Sequence, residues 1–236
     1  MLPKPKASPT TESVDDYLKA VFELSGQEEK RVTGNALAER LGVRAASVTG
    51  MLQKLATHKP AWVYYEKHHG VLLAPAGKHR ALEIVRHHRL LERFLHDFLD
   101  YPWDEVHEEA ERLEHYISER LEERIAAKLG DPDVDPHGHS IPERNGNVKS
   151  RQEVPLSSWA CGVPARISSV ADRDPAALRE MERLGLLPGT CLQVEPGSRS
   201  SSLMVRIGSA THPIRMNQNL VRAISVVAAP QGTYRK

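Results

Sequence analysis

Apolar positions recur every three to four residues through the first half of the chain and give way to short β-like runs after residue 160. In SVDDYLKAVFELS (13–25), Val14, Tyr17, Leu18, Val21, Phe22 and Leu24 predict a helix with Ser13 as N-cap. TGNALAERLGV (33–43) predicts a helix stopping at Gly42, and RAASVTGMLQKLATH (44–58) starts another almost without a linker. Two short helices joined through Leu-Gly-Val are the sequence form of a helix-turn-helix. WVYYEKHHGVLLAPAGK (62–78) then predicts two strands around a basic tip, Lys67 to Gly70. Helix, helix-turn-helix and hairpin in that order predict a winged helix.

Long helices follow over 79–129. Leu82, Val85, Leu90, Leu91, Phe94, Leu95 and Phe98 form one broad stripe. YPWDE (101–105) breaks the pattern, with Asp104 as a candidate cap. Val106, Ala110, Leu113, Ile117, Leu121 and Ile125 then predict a single helix from Glu105 to Leu129. Such a helical pair suits a dimer interface, and a dimer matches two operator half-sites. Residues 130–160, rich in Pro, Gly, Asn and Ser, read as linker. Beyond 161, the runs VPARISSV, TCLQVEPG, SLMVRIG, HPIRM and LVRAISVV surround one helix (175–186) and predict a small SH3-like β-barrel. The expected fold is mainly α with a small β domain. Its parts are a winged helix-turn-helix (1–78), a helical metal-binding and dimerisation domain (79–140), a linker (141–160) and the SH3-like domain (161–236).

Charge changes this picture, because the net +1 conceals three unlike segments. Residues 1–80 carry 12 Lys/Arg against 8 Asp/Glu, residues 81–135 carry 7 against 16, and residues 136–236 carry 13 against 7. A basic end suits a polyanion and an acidic middle suits cations. For DNA, the second helix of the helix-turn-helix offers Arg44, Ala45, Ala46, Ser47, Thr49, Gly50, Gln53 and Lys54. Small residues there permit close approach to base edges, and Lys67 of the wing can reach backbone. No run approaches a membrane helix. The opening MLPKPKASPTTES lacks the apolar core of a signal peptide and reads as a frayed tail. Two cysteines, Cys161 and Cys191, exclude a disulfide framework and fit a reducing cytoplasm. Neither a membrane nor a small-molecule substrate is an expected partner.

The acidic segment also holds eight of the twelve histidines, between residues 79 and 139. His88 and Glu92 are spaced i, i+4. In HEEAERLEH (107–115), His107, Glu111, Glu114 and His115 fall on one face of a helix. Like charges on one stripe repel, and a divalent cation held by all six residues would relieve that repulsion. Carboxylate and imidazole without thiolate favour Mn²⁺ or Fe²⁺ over a structural Zn²⁺ site. A di-metal carboxylate enzyme is the rival reading, but the paired Glu-x-x-His helices it needs are missing. No nucleophile elbow or phosphate loop is present, so no catalysis is expected. A regulator with a merely solvated acidic helix is the other rival.

These motifs carry a resemblance. TTESVDDYLKAVFEL, the helix-turn-helix, HHRLLERFL, VHEEAERLEH, the DPHGHSIP loop and ERLGLLPG occur in the order seen in the diphtheria-toxin-repressor family, which includes the manganese-transport regulators. The resemblance implies a homodimeric, metal-activated repressor of metal-uptake genes that binds double-stranded operator DNA. It implies a primary metal site at Asp16, Glu111, Glu114 and His115, where carboxylates replace the sulfur ligands of iron-type members. Mn²⁺ is therefore the expected effector and Fe²⁺ the alternative. It implies a second site at His88, Glu92 and His107, closed by Asp174 or its neighbour Asp172 from the SH3-like domain. The family's next ligand there falls near Ala177, which cannot coordinate. Lys19 stands where manganese regulators with a two-metal site place a glutamate.

Overall fold

The computed structural model describes residues 11–26, 30–199 and 202–229. The tail expected to fray lies largely outside them. The chain forms two compact units, one of residues up to His87 with Glu114–Ile117 and Pro142–Val148, the other of His88–Leu113, Ser118–Ile141 and residues from Lys149 on.

The first unit is the winged helix. Helices α1 (Glu12–Ser25), α2 (Gly34–Leu41) and α3 (Ala45–Thr57) precede a hairpin of β1 (Val63–Glu66) and β2 (Gly70–Leu73). Thr11 and not Ser13 is the N-cap of α1, its carbonyl accepting from Val14 and Asp15. Leu18, Leu37, Val48, Leu52 and Val71 are sealed in one core, which brings α1, α2, α3 and the hairpin together. α2 opens on the Thr33 hydroxyl, which accepts from Ala36, and ends on Gly42 in the left-handed conformation. That cap turns the chain straight into α3, as the Leu-Gly-Val reading requires. The second strand ends at Leu73, as its sequence pattern predicts, and Pro75 begins α4 (Pro75–Leu99). Val32 adds a third short segment, exchanging both backbone hydrogen bonds with Val71 at 2.9 Å. Gly70 makes this possible. Its φ is +95°, and a Cβ there would lie 2.5 Å from the Val32 carbonyl oxygen.

In the second unit the expected single helix over 105–129 is instead two, α5 (Val106–Leu113) and α6 (Glu119–Leu129). The Ser118 hydroxyl accepts from Leu121 and starts α6 as a new N-cap. The apolar repeat that suggested continuity is not a single buried face, since Leu121 is 47% exposed.

The C-terminal part holds β3 (Val154–Pro155), β4 (Pro164–Val170), α7 (Pro175–Leu184), β5 (Cys191–Arg199), β6 (Ser202–Ile207), β7 (Ile214–Asn217), α8 (Gln218–Ala223) and β8 (Ile224–Ala228). The strands form one antiparallel sheet in the order β3-β8-β4-β5-β6-β7. It has two free edges, so the SH3-like architecture expected from the sequence is present as an open sheet and not a closed barrel. The run LVRAISVV is helix before it is strand, because the Asn217 side chain caps α8 by accepting from Leu220. Ile167, Leu178, Met181, Leu192, Val205 and Ile224 fill the core, with Trp103 packed among them.

The supposed linker is partly built structure. A register shift between Ile167 and Ser169 leaves Ser168 out of the β4–β8 ladder. The Ser168 and Ser169 hydroxyls both donate to Glu153, at 2.7 and 2.8 Å. The DPHGHSIP loop lies against the same bulge. Val170 N–H donates to the His137 carbonyl at 2.9 Å, and a Cβ on Gly138 would sit 2.1 Å from the Ser168 carbonyl oxygen.

Gly70→Ala should destabilise the protein by about 1–3 kcal/mol, because both the backbone conformation and the Val32 carbonyl oppose a Cβ. Urea denaturation measures this, and an unchanged midpoint would show that the wing does not need this close approach.

Candidate metal centre

The break after α5 determines how the site residues are grouped. Had one helix run through HEEAERLEH, His107, Glu111, Glu114 and His115 would share a face. Instead α5 ends at Leu113. His107 joins one cluster, Glu114 and His115 join another, and Glu111 joins neither.

The first cluster lies in the winged-helix unit and joins Asp16 of α1 to Glu114 and His115. His115 Nε2 is 3.1 Å from Asp16 Oδ1 and 3.5 Å from Glu114 Oε1. Glu114 is fully buried. Its other oxygen, Oε2, accepts from Lys19 Nζ at 2.6 Å, and the lysine side chain is itself only 4% exposed. Beside them Arg80 donates twice to Asp15, Nε to Oδ1 at 2.8 Å and Nη2 to Oδ2 at 2.7 Å. Burial alone would lower the pKa of His115. The neighbouring carboxylates of Asp15, Asp16 and Glu114 outweigh burial and raise it to about 9. His115 Nδ1 is buried without a hydrogen bond, 3.7 Å from Asp15 Oδ2. Glu111, expected in this set, is not part of it. It lies in the other unit, 3.5 Å from His107 Nε2 and 3.4 Å from Arg173 Nη2.

The second cluster is centred on Glu92, which is fully buried. His88 Nε2 lies 2.9 Å from Glu92 Oε1, His107 Nδ1 lies 3.0 Å from the same oxygen, and His137 Nδ1 lies at 3.8 Å. Burial would push the Glu92 carboxyl up, but the charge of His88 and the nearby imidazoles of His107, His137 and His88 hold it well below the usual range. Asp172 Oδ2 closes the group, 3.7 Å from His107 Nδ1 and 3.6 Å from His139 Nδ1. Asp174 does not join. It is exposed, and its Oδ1 accepts from Ala176 and Ala177 as the N-cap of α7.

Sequence reasoning missed two residues here. Glu92, Asp135 and His137 form a third convergent set, all buried. Asp135 Oδ1 accepts from the backbone of His137 and His139, which folds the loop into a turn. Glu92 Oε2, Asp135 Oδ2 and His137 Nδ1 are buried without hydrogen bonds. The signal was present, since DPHGHSIP holds an Asp and two histidines, but Pro and Gly made it read as linker. Oxygen and imidazole donors, several of them orphaned, are the chemistry a divalent cation needs. The residues present therefore fit a metal.

The helix proposed for DNA is presented as expected. Val48, Leu52 and Leu55 point into the core, while Arg44, Ala45, Ala46, Ser47, Gly50, Gln53, Lys54 and Lys67 are exposed. Thr49 is half-buried, its hydroxyl bonded to the Ala45 carbonyl at 3.2 Å. No helix among the described residues is long and apolar enough to cross a membrane.

Comparison with known proteins agrees with this arrangement. The iron dependent repressor N-terminal DNA binding domain matches residues 9–71, and the iron dependent repressor metal binding and dimerisation domain matches 74–143. The FeoA domain matches 154–228. The iron-dependent repressor IdeR of Mycobacterium bovis is 28% identical over 198 residues, covering 78% of this chain and 84% of the relative. The HTH-type transcriptional regulator MntR of Bacillus pumilus is 34% identical over 116 residues, covering 49% of this chain and 78% of the relative. A solved manganese-dependent transcriptional repressor in complex with manganese is 37% identical, with a TM-score of 0.84 over 92% of this chain and 100% of that one. With its DNA-binding, metal-binding and FeoA parts in this order and at this identity, the chain belongs to the diphtheria-toxin-repressor and manganese-transport-regulator family of metal-dependent transcriptional repressors.

Proposed function

We propose that this protein is a Mn²⁺-activated repressor that binds operator DNA as a homodimer and senses the ion through Asp16, Glu114 and His115. The observation that carries the reading is the sulfur-free donor set of the first cluster, two carboxylates and one imidazole within 4.8 Å of one another. Hard oxygen donors favour Mn²⁺, whereas thiolate or thioether would favour softer ions. The likeness to a repressor solved with manganese supports the same choice. Fe²⁺ is the second reading, favoured by the likeness to the mycobacterial iron-dependent repressors.

Each residue has a role in this reading. Asp16 lies on α1, which shares its core with the recognition helix α3. Glu114 and His115 lie on the segment that follows α5. A bound divalent ion supplies the shared positive charge. Drawn onto it, the three donors fix the 114–117 segment against α1 and narrow the conformations open to the reading head. A dimer must present two recognition helices to successive major grooves about 34 Å apart, so narrowing favours the operator-competent conformer. Operator and metal then raise each other's affinity. At the second cluster Glu92, His88, His107, His137, Asp135 and Asp172 would hold a further ion. On the DNA side, Arg44, Ser47, Gln53, Lys54 and Lys67 contact phosphate and base edges, while Ala45, Ala46 and Gly50 keep the face low, with Thr49 beside them.

Fluorescence anisotropy with upstream DNA tests the reading. The metal-stripped protein should bind weakly, and micromolar Mn²⁺ should strengthen binding at least tenfold. Asp16→Ala should remain folded and lose that response. If Asp16→Ala still responds fully to Mn²⁺, the first cluster is not the sensor. Arg44→Ala should weaken operator binding by about 1–3 kcal/mol with the metal response retained.

His115 gives the pH dependence. Its folded pKa of about 9 lies above the unfolded value of about 6.5. Its contribution to metal-free stability is therefore complete below about pH 6.5 and is lost as pH rises through 9. The imidazole must be neutral to ligate, so Mn²⁺ binding near pH 7.5 should release a proton, and apparent affinity should climb with pH until about 9. Calorimetry in two buffers of different ionisation enthalpy measures the release, and none at pH 7.5 would place His115 outside the ligand set.

A further inference from the structure

We infer that Lys19 is a built-in cation that limits the Asp16–Glu114–His115 site to a single divalent ion and sets its affinity. The inference rests on the reading that these three residues hold the effector.

Three carboxylates, Asp15, Asp16 and Glu114, lie around His115, and by number alone they could serve two ions. Their oxygens are not equally available. Both oxygens of Asp15 accept from Arg80. Glu114 Oε2 accepts from Lys19 at 2.6 Å, with the side chains only 4% and 0% exposed. What converges within coordination reach is Asp16, Glu114 Oε1 and His115 Nε2. That is one ion's set of protein donors, leaving room for water in an octahedral shell.

Charge leads to the same conclusion. Asp15, Asp16, Glu114 and the Glu83 paired with Arg80 bring four negative charges, and Lys19 and Arg80 return two. One divalent ion with a neutral histidine neutralises the group, and a second would leave an excess of two positive charges. A second ion at Glu114 Oε2 would also have to displace an ammonium already in hydrogen-bond contact there. Lys19 thus holds Glu114 to one-oxygen ligation, and its own charge opposes the ion that does bind.

The test is Mn²⁺ stoichiometry and affinity of the full chain by equilibrium dialysis. Ions bound by wild type but not by Asp16→Ala count the occupancy of this site. A difference of one supports the inference. A difference of two overturns it and leaves the sensor reading standing, and a difference of zero removes the sensor reading and the inference with it. Lys19→Gln should bind its ion about tenfold more tightly, because one like charge is gone. Lys19→Arg should keep wild-type stoichiometry and affinity. Lys19→Glu should take up one additional ion, visible as a spin-coupled Mn²⁺ pair by electron paramagnetic resonance. If Lys19 only props up the fold, Lys19→Gln weakens Mn²⁺ binding, which overturns the inference. If that variant fails to fold, the wild-type count and Lys19→Glu decide.

Discussion

Glu92 and Glu114 are both shut off from solvent, and a buried carboxylate costs several kcal/mol unless donors or cations meet it. The second half of α4, α5 and the DPHGHSIP turn are arranged so that imidazoles reach Glu92. In the winged-helix unit, α1 and the segment after α5 are arranged so that Lys19 and His115 reach Glu114. The metal chemistry follows from the same constraint. On the proposed reading, the imidazoles that meet these carboxylates without metal would share them with a divalent ion.

The two clusters meet the constraint differently. Around Glu92 the partners are histidines, whose charge depends on protonation, so the cluster can exchange protons for metal. Around Glu114 one partner is a lysine, which keeps its charge, and Arg80 neutralises Asp15 next to it. One cluster can give up its own positive charge and the other keeps part of it.

Local breaks make both clusters possible. Ser118 restarts the helix after α5, so Glu114 and His115 fall in the turn between α5 and α6 and not on the helix that carries His107 and Glu111. The bulge at Ser168 makes room for Gly138, and the Val170–His137 hydrogen bond then ties the turn bearing Asp135 and His137 to the strand that leads to Asp172. Neither feature is a long-range pattern. Each depends on one or two residues with special backbone or capping roles.

Much of this was legible in the sequence. The apolar spacing of 13–58, the Leu-Gly-Val turn and the strand pair around Lys67 determined the winged helix, because helix and hairpin formation depend on near neighbours. The i, i+4 pair His88–Glu92, His107 and the adjacent Glu114 and His115 were legible for the same reason, whereas Asp16 entered only through the family resemblance. Tertiary structure alone decided the rest. It ended α5 at Leu113 and put Glu111 in a different unit from Asp16, Glu114 and His115. It chose Asp172 over Asp174, whose carboxylate caps α7. It drew Asp135 and His137 out of an apparent linker, buried Lys19 against Glu114, and left the SH3-like sheet open. Each of these depends on which distant groups share a dry interior, and periodicity along one chain carries no record of that.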